Sequence, residues 1–252
     1  MPIPVDPESL LIIALGLSAG ALCKGVTGMG LPLFALPVLA SFLEMPHAVA
    51  VMALPLVVSN AWQVVNFRAH AGPVNFLPRL VLAGAVGVAL GTLFLKTAPG
   101  AALSVAFGIM LLFYVGLRLA HPSLSLPMGL ARRIALPVSM AAGTLQGAMG
   151  VAAPVIVTYL NAIRLEREAY IFTISVIYLS YAVFQFAALA VAGLLTGPIL
   201  LEGIFALLPI AVVMPIGVWL GRHVRPAVFD RIVLALLAVI ALRFIAKGAG
   251  LI

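Results

Sequence analysis

Lys24-Gly25-Val26-Thr27-Gly28-Met29-Gly30-Leu31-Pro32 and Gln146-Gly147-Ala148-Met149-Gly150-Val151-Ala152-Ala153-Pro154 align without a gap at an offset of 122 residues, and each interrupts a long apolar stretch. Glycine admits backbone angles that other residues avoid, and proline fits the first turn of a helix, where its missing N–H is not needed. Each stretch therefore reads as a helix that stops and restarts. In a bilayer the backbone groups freed at such a stop must be satisfied by protein or used to hold a ligand. A chain with two equivalent stops reads as a transporter.

The surrounding composition sets the environment. Hydrophobic residues make up 64% of the 252, charged residues 8%, and mean hydropathy is +1.26. That is more apolar surface than a soluble domain of this size can bury. Successive runs are long enough to cross a hydrocarbon core of about 30 Å, which takes about 20 helical residues. They are continuous where a β-barrel would alternate. The fold class predicted is an all-α polytopic membrane protein without a soluble domain. The net charge of +7 comes from Lys and Arg placed singly or in pairs between apolar runs, the pattern of topology determinants and not of a nucleic-acid surface. Cys23 is the single cysteine, which excludes an intramolecular disulfide. His47, His70, His121 and His223 are scattered through connectors, so neither metal nor cofactor is expected. With Asp6 and Glu8 and no basic stretch ahead of it, the first apolar run is expected to stay in place as a span and not to be a cleaved signal.

Eight apolar segments follow, near 9–43 (interrupted at 25–32), 47–66, 75–95, 100–119, 134–163 (interrupted at 147–154), 168–193, 198–221 and 228–247. This divides the chain into a first repeat over 1–120, a polar connector over 121–133 and a second repeat over 134–252. At the 122-residue offset Ala19 meets Ala141, Glu44 meets Glu166, and Gln63 meets Gln185. Gly87-x-x-x-Gly91 returns as Gly217-x-x-x-Gly221, a helix-packing motif.

The interrupted segments are too long for one straight crossing, since residues 9–43 would make a helix of roughly 50 Å. Each is either a spanning helix with an unwound middle or a re-entrant hairpin. With two hairpins and six crossings, Arg68, Arg79, Arg118, Arg132, Arg133, Arg164, Arg167, Arg222, Arg225 and Arg231 share one side, and only Lys96, Arg243 and Lys247 lie on the other. Eight simple crossings divide the same charges almost evenly. The positive-inside rule favours hairpins, and three crossings per half make the repeats inverted, with both termini outside.

Helices restarting near Leu31 and Ala153 would point free N–H groups and a positive dipole end between the repeats, which suits an anion. Gly25, Thr27, Gly28, Gly30, Gly147 and Gly150 are the backbone candidates for that site. Lys24 is the one charged residue deep in an apolar segment, the acidic residues lying near segment ends. A buried cation is costly unless it pairs or snorkels. Lys24 therefore either faces an anion or wet cavity, or reaches toward the nearer interface. Its counterpart Gln146 is uncharged, so the site is predicted to be chemically lopsided. Gln63 and Gln185 are candidates to line the substrate path, with Asn60, Ser59, Thr144, Ser180 and Tyr181 contributing polar groups or helix-to-helix hydrogen bonds. Glu44 and Glu166 read as solvated residues at segment ends.

The glycine-rich stop closed by Pro32, the helix from Ala48 with its polar patch near Ser59, the return of the pattern from Gly147 to Pro154, and the overall length together resemble the sulfite exporter TauE/SafE family. The resemblance covers essentially the whole chain. It implies a multi-pass permease of the bacterial inner membrane that moves a small sulfur-containing anion, such as sulfite or an organosulfonate, with the lipid bilayer and the anion as its partners. Ala152 stands where the first stop has Gly30, so the two stops are not expected to contribute equally. The expected function is secondary transport, probed against an anion channel of the same fold and a membrane-embedded enzyme. No paired carboxylates, Cys/His cluster or Ser/His/Asp set supports the enzyme. A homo-oligomer is compatible with the sequence.

Overall fold

The computed structural model describes residues 7–27, 31–72, 74–120, 125–221, 223 and 226–251, with the side chains of Thr27 and of 226–233 outside that description. The described residues form eleven α-helices and no strand. In the first half these are α1 (Pro7–Thr27), α2 (Leu31–Phe42), α3 (Met45–Phe67), α4 (Leu77–Thr97) and α5 (Gly100–Ala120). The second half holds α6 (Met128–Met149), α7 (Ala153–Ile163), α8 (Arg167–Val191), α9 (Gly197–Phe205), α10 (Leu207–Gly221) and α11 (Pro226–Gly248). Six stretches are long and apolar enough to cross a membrane: α1, α3 with the 3-10 turn that follows it, α4, α5, α8, and α9 with α10. The chain is a polytopic membrane protein. Helices α2 and α7, of 12 and 11 residues, reach only about 16–18 Å and are too short to cross.

Local chemistry accounts for the boundaries. Proline occupies the first turn of α3, α4, α7 and α9, where no N–H is required. Helix α6 ends at Gly150, whose φ of 67° is left-handed and whose N–H bonds Gln146 O at 2.7 Å, a glycine C-cap. Helix α7 ends at Arg164, the one described non-glycine residue with positive φ (57°). The run 198–221, continuous in sequence, divides at Ala206 into α9 and α10.

Packing pairs each half with the other. Helix α1 lies on α10 and α2, α6 lies on α4 and α7, α3 lies on α8, and α5 lies on α11. Exchanging each helix for its counterpart in the other half reproduces these pairings, with α1–α10 matching α6–α4. Glycine permits the closest of them. A Cβ on Gly87 would fall 2.2 Å from Met140 O, on Gly91 2.1 Å from Thr144 O, and on Gly143 2.2 Å from Gly84 O, so α4 and α6 touch backbone to backbone. Across α1–α10, a Cβ on Gly25 would fall 2.7 Å from Gly217 Cα. Lipid provides no hydrophobic drive for helices to associate, so such small-residue seams supply dispersion contact instead. The outer faces suit acyl chains: on α4, Leu82, Val86, Leu90 and Leu93 form an exposed stripe at helical spacing.

A Gly143→Val substitution should overpack the α4–α6 seam and destabilise the protein by about 1–3 kcal/mol or more. In Gly116→Val the new side chain meets open space, and the change should stay within about 0.5 kcal/mol. Thermal unfolding in detergent compares the two; equal effects would contradict a glycine-dependent seam.

Candidate functional site

Lys24 occupies the last turn of α1 and is 4% exposed. Its Nζ donates to two residues of α3, Ser59 Oγ at 3.2 Å and Asn60 Oδ1 at 3.4 Å. Both bonds lie at or beyond the long end of the normal range, and both acceptors are neutral. Asn60 is itself held by a 2.8 Å bond from Nδ2 to Leu56 O. Among the described residues the only ion-pair geometry is His47 with Glu202, so no described carboxylate balances Lys24.

The counterpart arrangement is closed on itself. Gln146 Nε2 donates to Gln185 Oε1 at 2.7 Å, and Gln185 Nε2 donates back to Gln146 O at 2.6 Å. Both residues are buried, and each amide nitrogen spends one N–H on the other residue. The two polar links thus join equivalent helices, α1 to α3 and α6 to α8, with opposite chemical outcomes.

The remaining sequence candidates fall in several places. Gly25 and Gly147 face neighbouring helices: a Cβ on Gly147 would lie 2.1 Å from Val88 O of α4, as Gly25 meets α10. Gly150 forms the left-handed turn between α6 and α7. Thr27 closes α1, while Gly28 and Gly30 lie outside the described residues. Gln63 is buried, its Oε1 3.4 Å from Ser175 Oγ of α8. Thr144 and Ser180 donate to their own helices, at Met140 O (2.9 Å) and Ile177 O (2.7 Å). Tyr181 packs its ring on Gly84 and bonds Ser139 at 2.5 Å. Glu44 and Glu166 are exposed at the starts of α3 and α8.

Beside Lys24 a cavity of about 600 Å³ runs between α3 and α10, walled by Val58 and Trp62 on one side and Ile210, Met214 and Val218 on the other. Its lining is apolar apart from Ser59, the hydroxyl that Lys24 contacts.

Two features escaped the sequence. Glu202 lies five residues inside the span Gly197–Gly221, buried and bonded to His47, which correspondingly sits in α3 and not in a connector. An acidic residue in a run otherwise free of charge was the available signal. Thr92 Oγ1, on the α4 face that meets Gly147, is a buried hydroxyl without a hydrogen-bond partner among the described residues. Nothing in the sequence distinguishes it from an ordinary helix threonine.

The family profile described as "Sulfite exporter TauE/SafE" matches residues 12–244, from the second turn of α1 to near the end of α11. The chain belongs to the sulfite exporter TauE/SafE family. No curated protein and no solved structure matches it. As a TauE/SafE member it is a multi-pass protein of a membrane transporter family whose cargo is a small anion. Lys24, Asn60, Gln146 and Gln185 all fall within the matched residues.

The reciprocal Gln146–Gln185 bonds should appear as a coupling energy of about 0.6 kcal/mol, up to about 1.7, in a double-mutant cycle of Gln146→Ala and Gln185→Ala followed by unfolding in mixed micelles. Strict additivity would contradict the pairing.

Proposed function

We propose that the protein is a secondary exporter of a small sulfur-containing anion, sulfite or an organosulfonate, in a bacterial inner membrane, and that Lys24 binds the anion near the midplane between the two repeats. The observation carrying this reading is the buried Lys24 ammonium, held only by neutral acceptors at 3.2 and 3.4 Å. In surroundings of low dielectric an anion gains far more from such a charge than it would in water. Gly25, Thr27, Gly28 and Gly30 shape the first stop beside Lys24; Gln146, Gly147, Gly150 and Gln185 form the second, uncharged wall, and Asn60 and Gln63 line the path along α3. Export of a monoanion from a cell negative inside is favoured by about 2.3 kcal/mol per 100 mV.

The proposed topology is two inverted repeats, 1–120 and 134–252, joined by 121–133, each opening with a re-entrant hairpin. Four contacts support it. His47 lies two residues after the start of α3 and Glu202 five after the start of α9, so their bond brings these starts to one side. Eight alternating crossings would separate them by about the full 30 Å of the core. Lys24 lies 17 residues into α1 and Asn60 15 into α3, and Gln146 and Gln185 each lie 18 into α6 and α8. Bonds at matched depth mean that α1 runs with α3 and α6 with α8, as hairpins that return to their side of entry require. Gln63 and Ser175, 18 and 8 residues into α3 and α8, meet as oppositely directed helices would.

In proteoliposomes at matched protein levels, Lys24→Met should weaken the apparent affinity for sulfoacetate or sulfite at least about tenfold, about 1.4 kcal/mol. Lys24→Arg should retain partial function, because it keeps the charge with altered donor geometry. An unchanged affinity in Lys24→Met removes Lys24 from the site.

A further inference from the structure

Glu202 stands apart from every other described carboxylate. Its side chain is 6% exposed, inside the apolar span Gly197–Gly221, and its Oε2 lies 2.5 Å from Nε2 of His47, whose side chain is 31% exposed. The imidazole thus reaches the surface while the carboxylate does not. Histidine is the side chain suited to exchanging a proton near neutral pH.

We propose that the His47–Glu202 pair binds the proton that drives anion movement, making the protein a proton-coupled transporter; the proposal rests on the transporter reading above. With one proton bound, the pair is an imidazolium beside a carboxylate, neutral overall and joined by a charge-assisted N–H···O bond. When that proton leaves through His47 to water, a neutral imidazole and a net negative charge remain among apolar side chains. An uncompensated buried charge is strongly unfavourable, so the carboxylate must then gain water or lose its packing between α3 and α9.

The elements joined by the pair are the ones that flank Lys24. Helix α3 carries Ser59 and Asn60, the acceptors of Lys24 Nζ. Helix α10, continuing from α9, carries Gly217, whose backbone touches Gly25 next to Lys24. The 600 Å³ cavity lies between these same two helices, below the His47–Glu202 contact. A change in the α3–α9 contact therefore alters the walls of the Lys24 site, and by linkage the anion alters proton affinity equally.

Of the helices packed on α3, α8 carries Arg167 and Glu168 at its exposed start and Tyr170, Tyr178 and Tyr181 further along, α5 carries Tyr114 and Arg118, and α4 carries Arg79 and Lys96. Helix α10 has no titratable residue and α3 has only His47. Helix α1, also packed on α9, carries Glu8, Cys23 and Lys24, of which Glu8 is exposed. Glu44, just ahead of α3, is exposed as well. The other half has no matching pair, because Ala169 occupies the position equivalent to His47. Among the described residues His47–Glu202 is the one such pair.

The test uses the full chain in proteoliposomes with sulfoacetate, whose charge is constant between about pH 6 and about pH 8, and with the membrane potential clamped at zero. In wild type a pH gradient should drive net sulfoacetate movement accompanied by proton flux. Glu202→Gln and His47→Gln should lose the gradient-driven component by about tenfold or more while keeping sulfoacetate counterflow at equal pH. That counterflow also shows that the variants are folded. Gradient-driven movement persisting in Glu202→Gln would overturn the proposal. Infrared difference spectra after a pH jump, without any anion, provide the second readout. Imidazole ring bands accompanied by a shift of a buried-carboxylate stretch, present in wild type and with that carboxylate shift absent in Glu202→Gln, support proton binding at the pair even if sulfoacetate proves not to be cargo, and their absence in wild type overturns the proposal whatever is transported.

Discussion

An ammonium placed among helices with no described carboxylate to balance it is the constraint around which this structure is arranged. Removing a lysine charge from water costs several kcal/mol unless something compensates, and two long hydrogen bonds to a serine and an amide compensate poorly. The chain therefore retains at Lys24 an electrostatic demand that a small anion can meet. The equivalent position in the other half makes no such demand, because Gln146 and Gln185 satisfy each other. The two sequence-equivalent positions thus differ in chemistry, a lysine with neutral partners against a paired glutamine.

Close helix approach makes that placement rigid. The seams α1–α10 and α4–α6 are formed by glycines whose missing side chains let backbone meet backbone, and each seam abuts one of the stops, at Gly25 and at Gly147. A shift of α10 is therefore felt beside Lys24, and a shift of α4 beside Gln146. The His47–Glu202 contact joins α3 to α9 near the starts of both helices.

Much of the helical plan was legible in the sequence, because glycine, proline and continuous hydropathy have local causes. The charge-poor runs mark the spans, and Gly150 takes the left-handed conformation between α6 and α7. The division of 198–221 at Ala206 was not read from the sequence, although Gly203 and Pro209 flank it and Pro209 falls in the first turn of α10. The polar residues drawn from the sequence are seen here with partners that the sequence did not reveal. Lys24 meets Asn60, Gln146 meets Gln185 and His47 meets Glu202 across 36, 39 and 155 residues. No periodicity encodes such pairings, which depend on how the two halves dock. For the same reason Gln63 and Gln185, equivalent in sequence, differ in surroundings, one beside Ser175 and the other locked to Gln146. Gly25 and Gly147 show that one residue type can both interrupt an apolar run and face a neighbouring backbone, which sequence spacing alone does not separate.

The location of a bound anion tests the account most directly. Selenite carries an anomalously scattering atom in nearly the geometry of sulfite, so crystals of the protein grown in lipid and soaked with it report the anion's position without reference to activity. The account predicts an anomalous peak within hydrogen-bonding reach of Lys24 Nζ, close to Ser59 and Asn60, that disappears in Lys24→Met crystals. A peak that survives in Lys24→Met, or that lies away from Lys24 in the wild type, would contradict it.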